Sequence, residues 1–243
     1  MLELKNISYR AEDDKEILKN INLKLDDRIV VITGPNGGGK STLVKLIAGI
    51  IKPTEGQVLL DGKDITDLSV TERAKNGISF AFQQPVRFKG LTVQDLITIA
   101  AGKEISIQDA CVYLSEVGLC AKDYINRELD ASLSGGEIKR IEIAMILARG
   151  TSFSIFDEPE AGIDLWSFGN LIHVFEKMQK KSKGTILIIS HQERILNIAD
   201  RIIYLKDGEV IKYGAKEEVL PDLLEHTTSA GCDTLMKKME GDA

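Results

Sequence analysis

Cysteine is scarce in this chain of 243 residues. Its three cysteines, Cys111, Cys120 and Cys232, are too few and too scattered for a disulfide framework or a zinc site. So few thiols fit a protein that works in a reducing compartment. We interpret all three as structural side chains, with a part in metal-cluster chemistry as the alternative.

Long apolar runs and an excess of positive charge are lacking as well. No segment approaches the roughly 18 consecutive apolar residues of a membrane-spanning helix, and the first residues show no signal-peptide pattern. The formal net charge of −6 gives no electrostatic basis for binding nucleic acid or an anionic membrane. We therefore expect a cytoplasmic protein with no nucleic-acid partner and no direct membrane insertion, although it can dock on a membrane protein.

The chain is organised around a glycine-rich stretch at residues 34–42. It reads G-P-N-G-G-G-K-S-T, which matches the phosphate-binding pattern G-x-x-x-x-G-K-[ST]. Residues 29–32 precede it as a continuous apolar strand, and residues 43–48 follow with apolar side chains at helical spacing. Glycines let successive N–H groups point at an anion, and the helix N-terminus adds partial positive charge. Lys40 offers a point charge to the β- and γ-phosphates, and the Ser41 hydroxyl is placed to ligate Mg²⁺.

Apolar periodicity predicts the rest of the fold. Residues 17–25 alternate apolar and polar side chains, as half-buried strands do. Residues 153–156 and 186–189 read as buried strands on either side of a helix at 165–181, and this order predicts a parallel sheet. Asp-Gly pairs at residues 61–62 and 207–208 predict tight hairpins. The amphipathic stretch from residue 93 to about residue 130 predicts an inserted helical subdomain.

Three further stretches carry side chains suited to phosphate chemistry. Ser134 with Glu137 three residues later predicts a capped helix, and a Ser-Gly-Gly helix start is also a second anion site. Asp157 and Glu158 end a buried strand, so both carboxylates should lie at the sheet edge where ligands bind. Asp157 can hold hydrated Mg²⁺, and Glu158 can orient or deprotonate a water molecule. His191 follows the next strand at the same edge, where a γ-phosphate contact is favoured over a purely structural role.

Read together, these motifs resemble the nucleotide-binding domain of ABC ATPases. The phosphate loop matches the family's Walker A motif, and residues 133–137 match its signature, with Glu137 where many members have glutamine. Asp157 matches the end of the Walker B motif, and residues 161–164 match the D-loop. The motifs occur in the family's order from Tyr9 to about residue 214. Such a full set is specific, because a GTPase or small-molecule kinase shares the Walker A motif but lacks the signature.

The resemblance implies a role for each matching residue. Glu158 and His191 are expected to be catalytic. Ser41, Gln83 and Asp157 are expected to hold Mg²⁺. The residues expected to bind ATP are Tyr9, which would stack on adenine, and Gly34, Pro35, Asn36, Gly37, Gly38, Gly39, Lys40, Ser41, Thr42, Gln83, Ser134, Gly135, Gly136 and Asp164.

The implied fold is that of an α/β P-loop NTPase of the ABC type. It has a mixed, largely parallel core sheet, an antiparallel N-terminal β-subdomain and an inserted helical subdomain. We expect a single ABC ATPase domain over residues 1–243. Its parts are the catalytic core with the β-subdomain at 1–84 and 145–220, the helical subdomain with the signature at about 85–144, and a C-terminal tail at 221–243.

The implied activity is ATP hydrolysis with Mg²⁺ in a homodimer that forms when ATP binds. Each ATP would lie between the Walker A motif of one copy and the signature of the other. Lys40 and Mg²⁺ would then meet the phosphate charge from one side, and Ser134 and Gly136 of the second copy from the other. Hydrolysis would reopen the dimer.

Finer details resemble SufC, the ATPase of the SUF iron–sulfur cluster assembly system. They are the signature S-G-G-E-I-K-R, the stretch A-F-Q-Q-P-V, the run H-Q-E-R-I-L and Gly162 in the D-loop. This resemblance implies that ATP-driven dimerisation remodels a SufB-type scaffold protein. Pro159 instead matches transporters, so the alternative is the ATP-binding subunit of a membrane ABC transporter with a permease partner. A third class, a nucleotide-gated binding module without catalysis, is disfavoured by Glu158.

Overall fold

Two β-sheets form the framework of the protein. The computed structural model describes residues 1–84, 86–130, 132–181 and 184–224. The predicted tail beyond residue 224, with Cys232, lies outside them. In chain order the strands are β1 (Leu2–Arg10), β2 (Glu16–Leu25), β3 (Ile29–Thr33), β4 (Glu55–Leu60), β5 (Lys63–Asp64), β6 (Ile78–Ala81), β7 (Phe153–Asp157), β8 (Thr185–Ile189), β9 (Arg201–Lys206) and β10 (Glu209–Ala215).

The core sheet has six strands in the order β10-β9-β3-β8-β7-β6. Neighbouring strands from β9 to β6 run parallel, and only β10 runs antiparallel. Every residue of β3, β7 and β8 is buried, as expected for the centre of a parallel sheet covered on both faces. The predicted parallel core sheet is therefore confirmed.

A second, antiparallel sheet is formed mainly by the N-terminal part of the chain, with the strand order β2-β1-β4-β5. Asp61 and Gly62 join β4 to β5 with φ angles of 50° and 79°, and Asp207 and Gly208 join β9 to β10 with 51° and 81°. Positive φ at both central residues is what the favoured two-residue hairpin turns require. Both predicted Asp-Gly hairpins and the predicted N-terminal β-subdomain are present.

The helices cover the two faces of the core sheet. They are α1 (Lys40–Ala48), α2 (Val70–Lys75), α3 (Val93–Ala101), α4 (Ile107–Glu116), α5 (Ala121–Tyr124), α6 (Gly135–Arg149), α7 (Leu165–Lys181) and α8 (Glu193–Asn197). Helices α3 to α5 fill the stretch predicted to be helical. Gly102 ends α3 in the left-handed conformation, at φ 67°. None of the helices in the described ranges has the length and apolar character needed to cross a membrane.

Alternate residues of each core strand contribute to two separate hydrophobic cores. Ile29 and Val31 of β3 join a core with side chains of α3, α4, α6 and α7. Val30 and Ile32 join a second core with α1 and the antiparallel sheet. This division follows from the two-residue period of a strand. Because the first core combines sheet and helical residues, the helical segment packs directly on the sheet. The predicted bounds of the helical subdomain stay a prediction.

Helix α2 and its buried arginine were not predicted from the sequence. Ser69 and Glu72 form a reciprocal capping box at the start of this short helix. Arg73 is fully buried, and its guanidinium donates to the carbonyl oxygens of Leu46 and Ile47, both at 2.8 Å. It also donates to the carbonyls of Thr66 (2.7 Å) and Leu68 (3.2 Å). Arg73 therefore fixes the C-terminal end of α1, the helix that the phosphate loop opens.

We predict that Arg73→Met destabilises the fold by roughly 3–5 kcal/mol, because the carbonyls of two neighbouring segments, the end of α1 and the loop before α2, lose their donor. The control is Arg149→Met, which removes an exposed arginine with one hydrogen bond, to Ala74. Its cost should stay within about 0.5 kcal/mol. Urea unfolding of both variants measures the difference, and equal losses would contradict the role given to Arg73.

Candidate functional site

The predicted phosphate loop connects β3 to α1 and has little room for side chains at two glycines. A Cβ on Gly34 would lie 1.9 Å from the carbonyl oxygen of Leu205, and Gly34 has φ 139°. A Cβ on Gly39 would lie 2.9 Å from Cδ2 of Leu18, at φ 99°. The chain at β2 and β9 therefore packs against the loop backbone and fixes its path. This contact explains the need for glycine at these two positions.

The N-terminus of α1 differs from those of α3, α4 and α6. Gly39 is its N-cap, with no side-chain cap and no acidic residue in the first turn. Helices α3, α4 and α6 each have a Ser or Thr cap and an acidic residue in the first turn. The first N–H groups of a helix have no partner within it, and their positive end favours an anion. The start of α1 is therefore suited to hold a phosphate group.

Lys40 lies at the base of this loop with its side chain curled back. Its Nζ donates to the carbonyl oxygens of Gly34 (2.8 Å) and Pro35 (2.9 Å), and the residue is 5% exposed. Burial lowers the pKa of the Lys40 ammonium, while the nearby carboxylates of Glu158 and Asp157 oppose this shift. An incoming phosphate would add negative charge close to this partly desolvated cation and would favour its charged form.

Ser41 and Asp157 place two oxygen atoms side by side. Ser41 Oγ donates to Oδ1 of Asp157 at 3.3 Å, across the gap between α1 and the end of β7. Asp157 is 4% exposed, and burial raises its pKa despite the bond from Ser41. The pair fits Mg²⁺, which prefers oxygen ligands and is usually held by few protein groups together with phosphates and water. The described ranges contain no group of three or more His, Cys, Asp and Glu side chains that could hold a metal, so any cation here would have few protein ligands.

Glu158 has an unusual backbone conformation that three contacts hold in place. Its φ is 46°, in the left-handed region that few non-glycine residues adopt. The Glu158 N–H donates to the carbonyl of Ile189 (3.1 Å), and Lys139 Nζ donates to the carbonyl of Glu158 (3.0 Å). Gln83 Nε2 donates to Oε2 of Glu158 at 2.5 Å. The structure thus brings together Gln83 and Glu158, which are 75 residues apart in the chain.

His191 follows β8 at the same sheet edge, as predicted. Its side chain is partly exposed to solvent. Partial burial lowers the pKa of its imidazole, the Lys40 ammonium lowers it further, and Glu158 opposes the shift. These interactions place His191 within the electrostatic influence of the phosphate loop and of Glu158. They also favour the neutral imidazole near pH 7, which has one donor and one acceptor nitrogen.

Ser134 caps α6, as the sequence predicts. Its N–H donates to Oε2 of Glu137 at 2.7 Å, and its hydroxyl accepts from the Glu137 N–H at 3.3 Å. Glu137 also accepts a hydrogen bond from the hydroxyl of Tyr124. In the part of the chain that the structure describes, Ser134 bonds to Glu137 and Ile138 and not to the phosphate loop. Ser134 and Gly135 remain exposed on the surface of the protein.

Tyr9 and Asp164 lie on two other segments of the chain, β1 and the loop before α7. Tyr9 is half-buried in β1, where it pairs with Leu18 of β2, the residue that packs against Gly39. Asp164 is exposed just before α7. Adenine stacking by Tyr9 and nucleotide contact by Asp164 both remain predictions.

Two further charged residues lie beside the site, on α6. No local sequence motif indicated a role for them. Lys139 is 4% exposed and supports the backbone of Glu158. Glu142 accepts from the Phe82 N–H at 3.3 Å, and burial raises its pKa to about 7, against the Phe82 bond and the charge of Lys139. The available sequence signal is their spacing: they lie three residues apart on one face of a helix whose neighbouring positions are apolar.

Comparisons with known proteins identify the family of this chain. Residues 18–161 match the model of the ABC transporter family. An ABC transporter ATP-binding protein of Methanocaldococcus jannaschii is 41% identical over 221 residues, covering 87% of each chain. A Streptococcus pyogenes protein, also named as an ABC transporter ATP-binding protein, is 36% identical over 246 residues, covering 95% of this chain and 94% of its own.

Solved structures show the same fold. The ATP-binding cassette MJ0796, determined as a dimer in a post-hydrolysis state with ADP and Pi, aligns with a TM-score of 0.79 and 29% identity. The alignment covers 89% of this chain and 99% of the cassette. A bacterial Atm1-family ABC exporter with ATP bound aligns with a TM-score of 0.80 over 91% of this chain and 40% of its own. At 23% identity, this second likeness shows the fold alone.

We predict that Lys40→Ala weakens ATP binding by about 10- to 100-fold, because a charge-assisted contact to the phosphates is lost. Lys52→Ala is the control, since Lys52 is exposed, lies beyond the end of α1 and forms an ion pair with Asp67. Isothermal titration calorimetry with ATP measures both affinities. Normal ATP binding by Lys40→Ala would show that the phosphate site is wrongly assigned.

We also predict that Glu142 makes the stability of the fold depend on pH. A carboxyl group whose pKa is higher in the folded protein stabilises it below the unfolded value of 4.5, and this stabilisation disappears as pH rises to about 7. Glu142→Gln cannot ionise and still offers an acceptor to Phe82. It should therefore exceed the wild type in unfolding free energy at pH 8, by up to about 3 kcal/mol, and match it near pH 4.5.

Urea unfolding between pH 4.5 and pH 8 tests this expectation. Glu55→Gln, which changes an exposed carboxylate on β4, serves as the control and should follow the wild type at every pH. Parallel curves for the wild type and Glu142→Gln would show that Glu142 does not cause the pH dependence.

Proposed function

Because this chain belongs to the ABC transporter family and is an ATPase of the ABC type, we propose that it is the ATP-binding subunit of a larger machine. In this proposal ATP closes two copies of the chain, and closure drives a change in a separate partner protein. The observation that carries the proposal is the convergence of Lys40, Ser41, Asp157, Glu158 and His191 at one edge of the core sheet.

The proposed roles follow from the contacts of each side chain. The N–H groups at the start of α1 bind the phosphates, and Lys40 turns from the loop carbonyls to the phosphate oxygens. Ser41 and Asp157 hold the cation; when bound, Mg²⁺ neutralises charge that develops on the phosphates. Glu158 orients the attacking water and accepts its proton, and His191 contacts the γ-phosphate. Gln83 joins this group by its hydrogen bond to Glu158.

The proposed dimer places the start of α6 from one copy over the phosphate loop of the other. Support comes from Ser134 and Gly135, which are exposed and bonded within their own segment. Further support is the dimeric state of the MJ0796 cassette, whose structure holds ADP and Pi. A second copy would then supply Ser134, Gly135, Gly136 and Asp164 to the ATP bound by the first.

We predict that Glu158→Gln keeps ATP binding but lowers turnover by at least about 100-fold, because the amide cannot accept the proton of the attacking water. The unhydrolysed ATP should then trap a dimer, visible by light scattering as a doubled mass in the presence of ATP. Glu104→Gln, an exposed change in the loop between α3 and α4, should leave turnover unaltered. Monomeric Glu158→Gln with saturating ATP would contradict the proposed closure.

For the partner, we propose a permease subunit of a membrane transporter. The relatives described above are named as ABC transporter ATP-binding proteins, which favours this reading over the SUF reading. A groove of about 280 Å³ beside Gln83 offers a place for the partner. Exposed apolar side chains and the Glu142 carboxylate line it, and the exposed set comprises Ile50, Val70, Phe82, Val86 and Phe88. Contiguous exposed apolar surface is typical of interaction sites.

A SufB-type scaffold protein is the second candidate partner. The observation that favours it is the signature sequence S-G-G-E-I-K-R, in which Lys139 is buried and bonded to the backbone of Glu158. In this reading the ATPase cycle serves iron–sulfur cluster assembly. Both candidates use the same ATP site and the same groove, so the two proposals differ in the identity of the partner.

Affinity purification of the tagged chain from native cell extract separates the two candidates. Mass spectrometry would identify the proteins recovered in stoichiometric amounts, with and without detergent. A multispanning permease that co-purifies only in detergent supports the transporter proposal. A scaffold protein recovered without detergent supports the iron–sulfur proposal and overturns the permease. Val70→Arg, which places a cation among the exposed apolar side chains of the groove, is expected to abolish recovery of the true partner.

A further inference from the structure

Glu160 carries a buried carboxylate that the proposed chemistry does not use. It lies two residues after Glu158, in the loop between β7 and α7. Its Oε1 accepts a hydrogen bond from the hydroxyl of Ser190 at 2.5 Å. Its Oε2 is buried without a hydrogen-bond partner among the residues that the structure describes. Burying a carboxylate is costly unless strong hydrogen bonds compensate, so the buried position of Glu160 needs an explanation.

Ser190 joins Glu160 to both sides of His191. Ser190 is fully buried, and its hydroxyl accepts from the N–H of Gln192 at 3.0 Å while it donates to Glu160. Its own N–H donates to the carbonyl of Ile32, at the end of β3 (3.1 Å). The residues that flank His191 in the chain are therefore held by one hydroxyl group, and Glu160 fixes the orientation of that hydroxyl.

The same loop holds Glu158. The carbonyl of Glu158 accepts from the N–H of Ala161 (3.0 Å) as well as from Lys139, and the N–H of Glu158 donates to Ile189 (3.1 Å). Glu160 is thus part of a short turn with Glu158 at one end, and it bonds to the segment with His191. Lys139 from α6 and Glu158 are the charged groups whose fields act on the Glu160 carboxylate.

We propose that Glu160 is a positioning residue that sets the place of His191 relative to Glu158. The inference rests on the proposed roles of these two residues in hydrolysis. The carboxylate bonds Ser190, Ser190 fixes the backbone on both sides of His191, and the imidazole is held facing the γ-phosphate. Without Glu160 the ATP would still bind, because the phosphate loop is unchanged, but the catalytic groups would be misaligned.

Steady-state ATPase kinetics of five variants test the proposal. Glu160→Ala and Ser190→Ala are each expected to lower kcat by about tenfold and to leave the KM for ATP within about twofold of the wild type, since misalignment affects chemistry more than binding. The double variant should be no slower than the slower single variant, because both changes break one interaction. Glu160→Gln keeps an acceptor for Ser190 and should recover most of the activity. Glu104→Ala, an exposed change in the loop between α3 and α4, should match the wild type.

Independent effects would overturn the proposal: a double variant slowed by the product of the two single effects shows that Glu160 does not act through Ser190. An unchanged kcat for both single variants overturns it as well. If Glu160→Ala does not fold, Ser190→Ala decides by the same kcat and KM criteria. Glu158→Gln separates this inference from the proposed function. Full ATPase activity of Glu158→Gln would refute the assigned site. An inactive Glu158→Gln together with a fully active Ser190→Ala would refute only the role of Glu160.

Discussion

The parallel register of β3, β8 and β7 is the constraint on which the site depends. The register is extended past the strand ends by two backbone hydrogen bonds, from Ser190 N–H to Ile32 and from Glu158 N–H to Ile189. Each bond ties the first residue after one strand to the last residues of its neighbour. The phosphate loop, the carboxylates and the histidine are therefore set at one level, because the strands that carry them end together. This edge is where open α/β sheets bind their ligands.

Local sequence signals predicted those parts of the structure that depend on neighbouring residues. The capping box of Ser134 and Glu137 spans three positions, and the Asp-Gly hairpins need only their own φ angles, so both could be predicted from short stretches. The phosphate loop is likewise specified by its own glycines and by the apolar runs beside it. Burial in β3, β7 and β8 follows from their continuous apolar composition.

Contacts between distant residues were less predictable. Arg73 looks like an ordinary helix-surface residue, and its burial arises because the ends of α1 and α2 meet. The bond between Ser190 and Glu160 spans 30 positions, and Lys139 reaches Glu158 across 19. No periodicity indicates such pairs, since a polar residue becomes buried only when its partner satisfies it. The family resemblance predicted which residues bind ATP, but it did not indicate these supporting contacts.

The uncapped start of α1 links nucleotide binding to the stability of the whole fold. Helices α3, α4 and α6 each complete their first turn with a Ser or Thr of their own sequence, whereas α1 has Gly39 and no side-chain cap. In the proposed site, a phosphate at this position would act as the missing cap, and a ligand that binds only the folded chain shifts the folding equilibrium. At a concentration 100 times its Kd this shift amounts to about 2.7 kcal/mol. The resistance of this chain to unfolding and proteolysis would therefore increase with the concentration of nucleotide around it.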